Sequence, residues 1–289
     1  MASTSSTLPP SPSQTTTSRH TWEPQTDHAH PPTPQPNGHA NGHISSNGHL
    51  SPSPTTKPDP NTSPSTISLY SFLLGLTLSF SILLTLYLST TAHSPHWRLP
   101  YFLTALSLFH FLEYYTTARY NPTAAGVNAF LLTQNGKAYN IAHTMAFLEC
   151  FLHYHFYPEY SYLPKTLQQW WIALGFALTV LGQATRTTAM AQAGSNFNHV
   201  VQAKKKEGHE LVTFGVYAWL RHPSYFGFYW WGLGTQVVLG NGVCLVGYTI
   251  ALWRFFRDRI EKEERFLVRF FGEEYLRYRE RTVVGIPFL

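Results

Sequence analysis

Long apolar runs with almost no charge constrain this chain more than any other feature of its sequence. Ser68–Leu88 carries no charged residue and has about 20 positions, the length that a helix needs to cross the hydrocarbon core of a membrane. Further runs of this kind are Leu99–Ala118, Ala138–Tyr157, Trp170–Met190, Tyr225–Leu239 and Val243–Phe256. Because lipid offers no partner to an unpaired backbone group, such runs form helices. The sequence therefore predicts an all-α, polytopic integral membrane protein with about six transmembrane helices.

The last two runs are predicted to form a helical hairpin. They are shorter than the others and meet at Gly240-Asn241-Gly242, which is a strong turn signal. We expect the second arm to continue beyond the membrane as a charged helix that ends near Phe271.

Residues 1–66 differ sharply in composition from the rest of the chain. They hold 13 of the 20 prolines and 6 of the 15 histidines, separated mainly by small and polar residues. Such a segment lacks the apolar surface that would offset the entropy lost on ordering, so we expect a disordered low-complexity tail. Its Asn-Gly-His triplets at 37–39, 41–43 and 47–49 could bind a metal weakly. We interpret them as linker sequence and expect no metal.

Lysine and arginine positions indicate how the chain is oriented. An even number of spans puts both termini on one side, and we expect that side to be the cytosol. The basic residues of that side are Arg119, Lys137, Lys204, Lys205, Lys206 and those of the C-terminus, whereas Arg98 and Lys165 fall in outside loops. This asymmetry matches the positive-inside rule. Membrane topology thus explains the net charge of +5, and we expect no nucleic-acid partner.

Two acidic residues and two cysteines interrupt the apolar runs. Glu113 and Glu149 would be costly if they faced lipid, so we expect them to make buried polar contacts between helices. Glu113 lies near the end of its run, and the alternative is that it reaches the membrane interface. Cys150 and Cys244 are interpreted as buried small hydrophobic residues and not as a disulfide.

The segment Ser195–Leu289 departs from an ordinary apolar bundle. A long polar loop leads into Arg221–Tyr225, in which Pro223 suits the first position of a helix because it lacks a backbone donor. His222 then stands where a helix cap lies. Backbone donors at such a helix start can hold a carboxylate or a phosphate. The alternative is a capped helix with a snorkelling arginine and no binding role.

The charged end of the hairpin carries a second candidate feature. Arg259 and Glu263 are four residues apart and share one helix face, near the additional charges of Arg254 and Arg257. An exposed pair at this spacing is usually a surface ion pair. Because this face and His222 belong to adjacent arms of one hairpin, we expect both at the same cytosolic membrane edge. The sequence lacks a Gly-x-Ser-x-Gly nucleophile elbow and a His-Glu-x-x-His metal motif.

The last third of the chain also carries an ordered set of short motifs. They are Phe197–Gln202, Gly208–Thr213, Gly215–Tyr217, Arg221–Tyr225, Gly234–Gln236, Trp253–Arg259, Glu263-Glu264, Phe271–Tyr275 and Gly285–Phe288. In this order the motifs resemble the isoprenylcysteine carboxyl methyltransferase family. The Arg-His-Pro-x-Tyr element alone also occurs in related membrane methyltransferases and sterol reductases, whereas the whole set is specific.

The resemblance implies a methyltransferase of the endoplasmic reticulum membrane. Its members transfer a methyl group from S-adenosyl-L-methionine to the free carboxylate of a C-terminal prenylated cysteine. The implied partners are the lipid bilayer and prenylated CaaX-type proteins after proteolysis. The chain would then divide into the tail (1–66), transmembrane helices 1–4 (67–190) and a catalytic region (191–289) with a cytosolic loop, the hairpin and a C-terminal helix. In that region the hairpin would form a cofactor pocket on the cytosolic side.

Site residues follow from the resemblance position by position. The implied cofactor contacts are Gln202, His209, Glu210, Leu211, Val212, Tyr217, His222, Pro223, Ser224, Tyr225 and Glu263. Arg259 is the implied catalytic residue, and it would hold the substrate carboxylate. The sequence departs from the family pattern at Glu210, where the backbone would make the contact, and at the final Leu289.

Such a reaction needs no catalytic base, because a terminal carboxylate with a pKa of about 3.3–3.7 is already ionised at neutral pH. Arg259 suits the carboxylate, through a forked pair of hydrogen bonds, and Glu263 suits the cofactor's amino group. The alternatives are a sterol reductase with a nicotinamide cofactor, a phospholipid methyltransferase, and a non-catalytic scaffold or channel. The last would leave the long polar loop and the Arg259/Glu263 face without a purpose.

Overall fold

Helices account for nearly all regular structure in the computed structural model, which describes residues 60–132, 134–158, 164–205 and 207–289. The α-helices are α1 (Pro64–Leu86), α2 (Arg98–Tyr120), α3 (Gly136–Phe156), α4 (Lys165–Ala193), α5 (Pro223–Leu239), α6 (Gly242–Phe271) and α7 (Glu273–Glu280). Each of the predicted apolar runs forms one of these helices, so the prediction of an all-helical fold is confirmed for the described ranges. Most of the predicted tail, including the histidine triplets, lies outside them, as does Lys206.

α1 begins at Pro64, slightly before the predicted end of the tail at residue 66. The side chain of Ser63 caps the helix by accepting a hydrogen bond from the Thr66 amide, and proline fits the first turn. A π-helical turn prolongs the helix to Thr91. Within the described ranges, Pro64–Thr91 is long and apolar enough, by length and composition, to cross a membrane. The count of about six spans stays a prediction.

α4 and α5 pack so closely that only glycine fits at their contact. A Cβ on Gly182 would collide with the backbone of Gly227 and Trp231, and one on Gly234 would collide with the backbone of Thr179. Small residues at such contacts let membrane helices approach each other and gain van der Waals energy. This contact fixes the N-terminal end of α5 beside the C-terminal half of α4.

The predicted hairpin between α5 and α6 is present. Gly240 ends α5 in the left-handed conformation, with φ of 74°, and Asn241 starts α6. The Glu149 carboxylate accepts hydrogen bonds from the amides of Val243 and Cys244 at 2.8 and 2.7 Å, respectively. Glu149 therefore makes the expected polar contact between helices, as a carboxylate cap on α6, but it is half-buried and not buried. Both cysteines are free; Cys150 is buried, as predicted, whereas Cys244 is only half-buried.

The C-terminal segment after α7 returns along the hairpin, which the sequence did not predict. The amide of Val283 donates to the carbonyl of Trp219, and the amide of Arg221 donates to the carbonyl of Val283. Further along, the indole N–H of Trp230 donates to the Gly285 carbonyl. The C-terminus thereby holds the segment that leads into α5, where the predicted site begins.

Candidate active site

The described structure contains an open cavity around the first turn of α5. The cavity is bordered on its other sides by the loop between α4 and α5, by the second half of α6 and by α7. Its lining residues are Ala193, Asn196, Phe197, Asn198, His209, Glu210, Leu211, Val212, Tyr217, Arg221, His222, Pro223, Ser224, Tyr225, Glu263, Leu267, Phe271, Tyr275 and Tyr278. Ten of the eleven predicted cofactor residues are among them. Gln202 is not, and its side-chain amide donates to the Val200 carbonyl.

The start of α5 offers fewer backbone donors than the sequence suggests. His222 takes the capping position and Pro223 the first helical position, as predicted. However, the amides of Tyr225 and Phe226 both donate to the His222 carbonyl at 3.0 Å. Because Pro223 has no N–H, the amide of Ser224 is the donor left in this turn for an anion.

Tyr225 connects the start of α5 at His222 with the Arg259/Glu263 face of α6, which the sequence indicated as two separate features. Its ring stacks on the His222 imidazole, with centroids 5.5 Å apart and an interplanar angle of 8°. On the other side, Arg259 Nε donates to the Tyr225 hydroxyl at 2.8 Å, and the guanidinium lies over the phenol ring. The same hydroxyl donates to Oε2 of Glu263. His222 and Arg259 therefore belong to one cluster, as the hairpin geometry requires.

Arg259 stands behind Tyr225 and does not itself line the cavity. One of its terminal nitrogens donates to the His199 carbonyl. A guanidinium has five N–H donors. Two of them are engaged by described residues, so Arg259 keeps three for a ligand as far as the described ranges show. The ring of Tyr225 and the loop carbonyl hold the guanidinium in a fixed orientation, which favours a forked contact to a planar oxyanion.

Glu263 and Glu264 are adjacent in sequence but have different surroundings. Glu264 accepts from Arg221 Nε at 2.6 Å and lies 3.3 Å from His222 Nε2. Burial by itself raises the pKa of Glu264, but the contacts with His222 and Arg221 outweigh it and lower the pKa to about 2. Glu263 bonds to the Tyr225 hydroxyl, and no lysine or arginine of the described ranges lies within ion-pair distance of it. Glu263 thus presents an anionic carboxylate to the cavity.

A buried ion pair lies beneath the cavity, and one of its two partners was not predicted from the sequence. The carboxylate of Glu113 on α2 accepts two hydrogen bonds from Arg186 on α4, one of them at 2.8 Å. Arg186 also donates to the Ser224 hydroxyl at 2.8 Å. The expected buried role of Glu113 is confirmed and the interface alternative is wrong, because its side chain is 1% exposed. Arg186 lies inside a predicted span, so two opposite charges in separate spans were the available signal for this pair.

His199 lies between the buried pair and the cavity cluster. Burial lowers its pKa to about 4, and the positive charges of Arg186 and Arg259 act in the same direction, although Glu113 opposes them. The ring is therefore neutral near pH 7, with Nδ1 at 3.7 Å from Glu113. A neutral ring adds no third positive charge beside the two arginines.

The loop residues support the cavity mainly through their backbone. The amide of Glu210 donates to Asn196 Oδ1 at 3.0 Å, while its side chain is exposed. This arrangement explains why a glutamate is tolerated where the sequence departs from the expected pattern. His209 packs edge-on against Phe271, which closes the far side of the cavity.

The chain is similar in sequence to one family of known proteins. Residues 173–269 match the model of the isoprenylcysteine carboxyl methyltransferase (ICMT) family. The protein-S-isoprenylcysteine O-methyltransferase of Saccharomyces cerevisiae is 49% identical over 189 residues, which cover 65% of this chain and 79% of the relative. The Homo sapiens enzyme of that name is 47% identical, over 65% of this chain and 64% of its own.

A solved structure of a eukaryotic intramembrane Ras methyltransferase, ICMT, has the same fold. It superposes with a TM-score of 0.69 at 36% sequence identity, and the match covers 77% of this chain and 76% of the other.

Proposed function

The chain belongs to the isoprenylcysteine carboxyl methyltransferase family, and we propose that it transfers a methyl group from S-adenosylmethionine to the α-carboxylate of C-terminal S-prenylcysteine residues. The observation that carries the proposal is the Tyr225 hydroxyl, which links Arg259 on one side to Glu263 on the other. An anion that lines the cavity and a cation directly behind it, suited to two different ligands, are thereby linked through one side chain.

The residues of the cavity fit S-adenosylmethionine by their chemistry. The Glu263 carboxylate, which has no cationic partner in the described ranges, suits an ammonium group. The amide of Ser224 suits a carboxylate. Leu211, Val212 and Phe271 supply an apolar wall for the adenine ring. When bound, this cofactor supplies a methyl group on a positively charged sulfur.

The residues of the chain have to orient one oxygen atom and exclude water. The substrate carboxylate is already ionised, so no side chain has to remove a proton. Arg259 would bind both carboxylate oxygens through its three remaining N–H donors, and Tyr225 and His199 would hold its plane. Correct orientation of reacting groups can lower a barrier by about 7–11 kcal/mol in favourable cases.

The proposed setting is the endoplasmic reticulum membrane, with about six spans and both termini in the cytosol. Under this orientation the cavity opens to the cytosol, where the polar cofactor enters. The prenyl chain would enter between helices from the lipid. Outward apolar side chains such as Phe72, Val180 and Ile250, which are 62–66% exposed, support a lipid-facing surface. The substrates would be CaaX-type proteins after prenylation and proteolysis.

A transfer assay on the purified protein in membranes tests the proposal. Labelled S-adenosylmethionine and N-acetyl-farnesylcysteine should yield a labelled methyl ester. The same substrate already esterified at its carboxylate should accept no label, because it lacks the attacking oxygen. Absence of transfer to the free acid, by protein that is folded by size-exclusion chromatography, would refute the proposed reaction.

A further inference from the structure

A second cavity lies at the other end of the helix bundle. It is enclosed by the starts of α2, α4 and α6 and by the ends of α3 and α5. Because α5 has 17 residues at about 1.5 Å each, this cavity is roughly 25 Å from His222. It is therefore separate from the proposed catalytic cavity.

The cavity contains a buried arginine that has no acidic partner among the described residues. Arg98 is 5% exposed, and no aspartate or glutamate of the described ranges lies within ion-pair distance of it or lines the cavity. Its Nε donates to the Val238 carbonyl at 3.0 Å. Burial of an unpaired charge is costly, and buried cations in membrane proteins usually have an anionic partner. Within the described ranges, the four terminal N–H donors of this guanidinium have no hydrogen-bond acceptor.

Neighbouring groups fix the orientation of this guanidinium. Its central carbon lies 4.6 Å from the ring centroid of Tyr154 and 4.8 Å from that of Trp97. Gly240 has a φ of 74°, and a Cβ there would collide with the Tyr154 hydroxyl, so the turn keeps this ring in position. The arrangement resembles the fixed orientation of Arg259 and suits a tetrahedral or planar oxyanion.

The rest of the lining combines polar side chains with apolar ones. Gln236 and Asn241 are buried and bonded to each other at 2.9 Å. Trp171, Ile172 and Leu245 supply apolar lining, and the Trp171 side chain is 39% exposed. A ligand with a charged head and an apolar chain matches this combination. Under the proposed orientation, this end of the bundle lies at the non-cytosolic leaflet.

We infer that Arg98 binds the phosphate group of an anionic lipid in this cavity, with the acyl chains along Trp171 and Leu245. A free phosphate ion has the same anionic chemistry and is the other possible source. The bound phosphate would complete the charge pairing of Arg98 and join five helix ends at one point.

Binding to purified full-length protein in a neutral maltoside detergent tests this inference. Native mass spectrometry would measure retention of dioleoyl phosphatidylglycerol, of dioleoyl phosphatidylcholine and of inorganic phosphate. We expect the wild type to retain one phosphatidylglycerol and Arg98→Gln to bind it about tenfold more weakly or worse. Arg98→Lys should lie between them. The matched control is Arg119→Gln, which removes an exposed arginine at the opposite end of α2 and should bind as the wild type does.

The outcomes show which ligand binds and whether Arg98 forms the site. Loss of phosphatidylglycerol in Arg98→Gln supports a lipid ligand, and loss of inorganic phosphate alone supports the site with a free ion as its ligand. Equal binding by the wild type and Arg98→Gln, or no preference for phosphatidylglycerol over phosphatidylcholine, overturns the lipid site. Methyl transfer by Arg98→Gln would report that this variant folds.

A wild-type measurement covers the case in which Arg98→Gln does not fold. Vesicles of phosphatidylcholine with a diazirine-labelled phosphatidylglycerol would be irradiated, and the cross-linked peptides identified. Cross-links concentrated at Trp171 and Leu245 support the site. Cross-links spread evenly over the outward faces of α1 and α3 contradict it.

Discussion

Near the start of α5, the Glu113/Arg186 pair and the Arg259/Glu263 cluster each combine an arginine with a glutamate, and of these two only the second has a residue that lines the cavity. In the inner pair, Glu113 and Arg186 satisfy each other's charge completely, and both are buried. In the outer cluster, Arg259 and Glu263 do not contact each other directly but share the Tyr225 hydroxyl. Charges that are already paired stabilise a fold, whereas charges kept apart remain able to bind ligands. We therefore predict that the inner pair positions the helices and that the outer cluster binds ligands.

The largest expected effect is on stability, from breaking the inner pair. Glu113→Ala leaves Arg186 buried without a counter-charge, which should cost about 3–5 kcal/mol of unfolding free energy. Thermal unfolding in detergent measures the loss. Glu149→Ala is the matched control, because it removes a helix cap worth only about 1 kcal/mol. Equal midpoint shifts in the two variants would show that the inner pair has no special role.

The next largest effect is on turnover, from the cation of the outer cluster. Arg259→Ala should lower kcat/KM by about 100-fold or more, because a forked charge-assisted contact to the carboxylate is lost. Cofactor affinity should change by less than about threefold. Arg254→Ala, an exposed arginine on the same helix, serves as the control. Near-normal turnover of Arg259→Ala would remove the carboxylate role.

A smaller effect is expected on cofactor affinity, from the anion of the outer cluster. Glu263→Ala should weaken S-adenosylmethionine binding about tenfold by calorimetry, because one charge-assisted contact to an ammonium group is lost. Glu261→Ala changes an exposed carboxylate on the same helix and should bind normally. Unchanged affinity in Glu263→Ala would exclude contact between Glu263 and the cofactor.

The smallest effect is expected on the pH dependence of stability, which distinguishes Glu264 from its neighbour Glu263. The folded-state pKa of Glu264, about 2, is below its ordinary value of 4.5, so ionised Glu264 contributes stability above about pH 4.5. That contribution, of order 1–2 kcal/mol because the group is partly hydrated, is lost as pH falls toward 2. Glu264→Gln should therefore have a lower midpoint than the wild type at pH 6, with the gap closing in acid. A gap that does not change with pH contradicts the ion pair with Arg221.

The sequence predicted the helices well because apolar length and turn residues determine them locally. The Gly240–Gly242 turn and the start of α5 at Pro223 needed only nearby residues. Arg259 and Glu263 share a face at their four-residue spacing, so their neighbourhood was also predictable. Membership of the family was predictable as well, since it rests on ordered motifs.

Contacts between distant segments were not predictable in the same way. Glu113 and Arg186 are 73 positions apart, and their pairing depends on how α2 crosses α4. The role of Tyr225 as a bridge depends on the rotation of α6 against α5, and the return of Val283 to Trp219 depends on the whole C-terminal path. The reduced number of donors at the start of α5 follows from a backbone conformation that the Arg221–Tyr225 sequence does not reveal.

The most direct test is an experimental structure of the protein with S-adenosylhomocysteine and farnesylcysteine bound in a membrane mimic. The predicted result is a substrate carboxylate about 3 Å from the terminal nitrogens of Arg259, with the cofactor's amino group at a similar distance from Glu263. A carboxylate that binds away from Arg259, or a cofactor outside the cavity that Glu263 and Ser224 line, would contradict the assignment of the outer cluster.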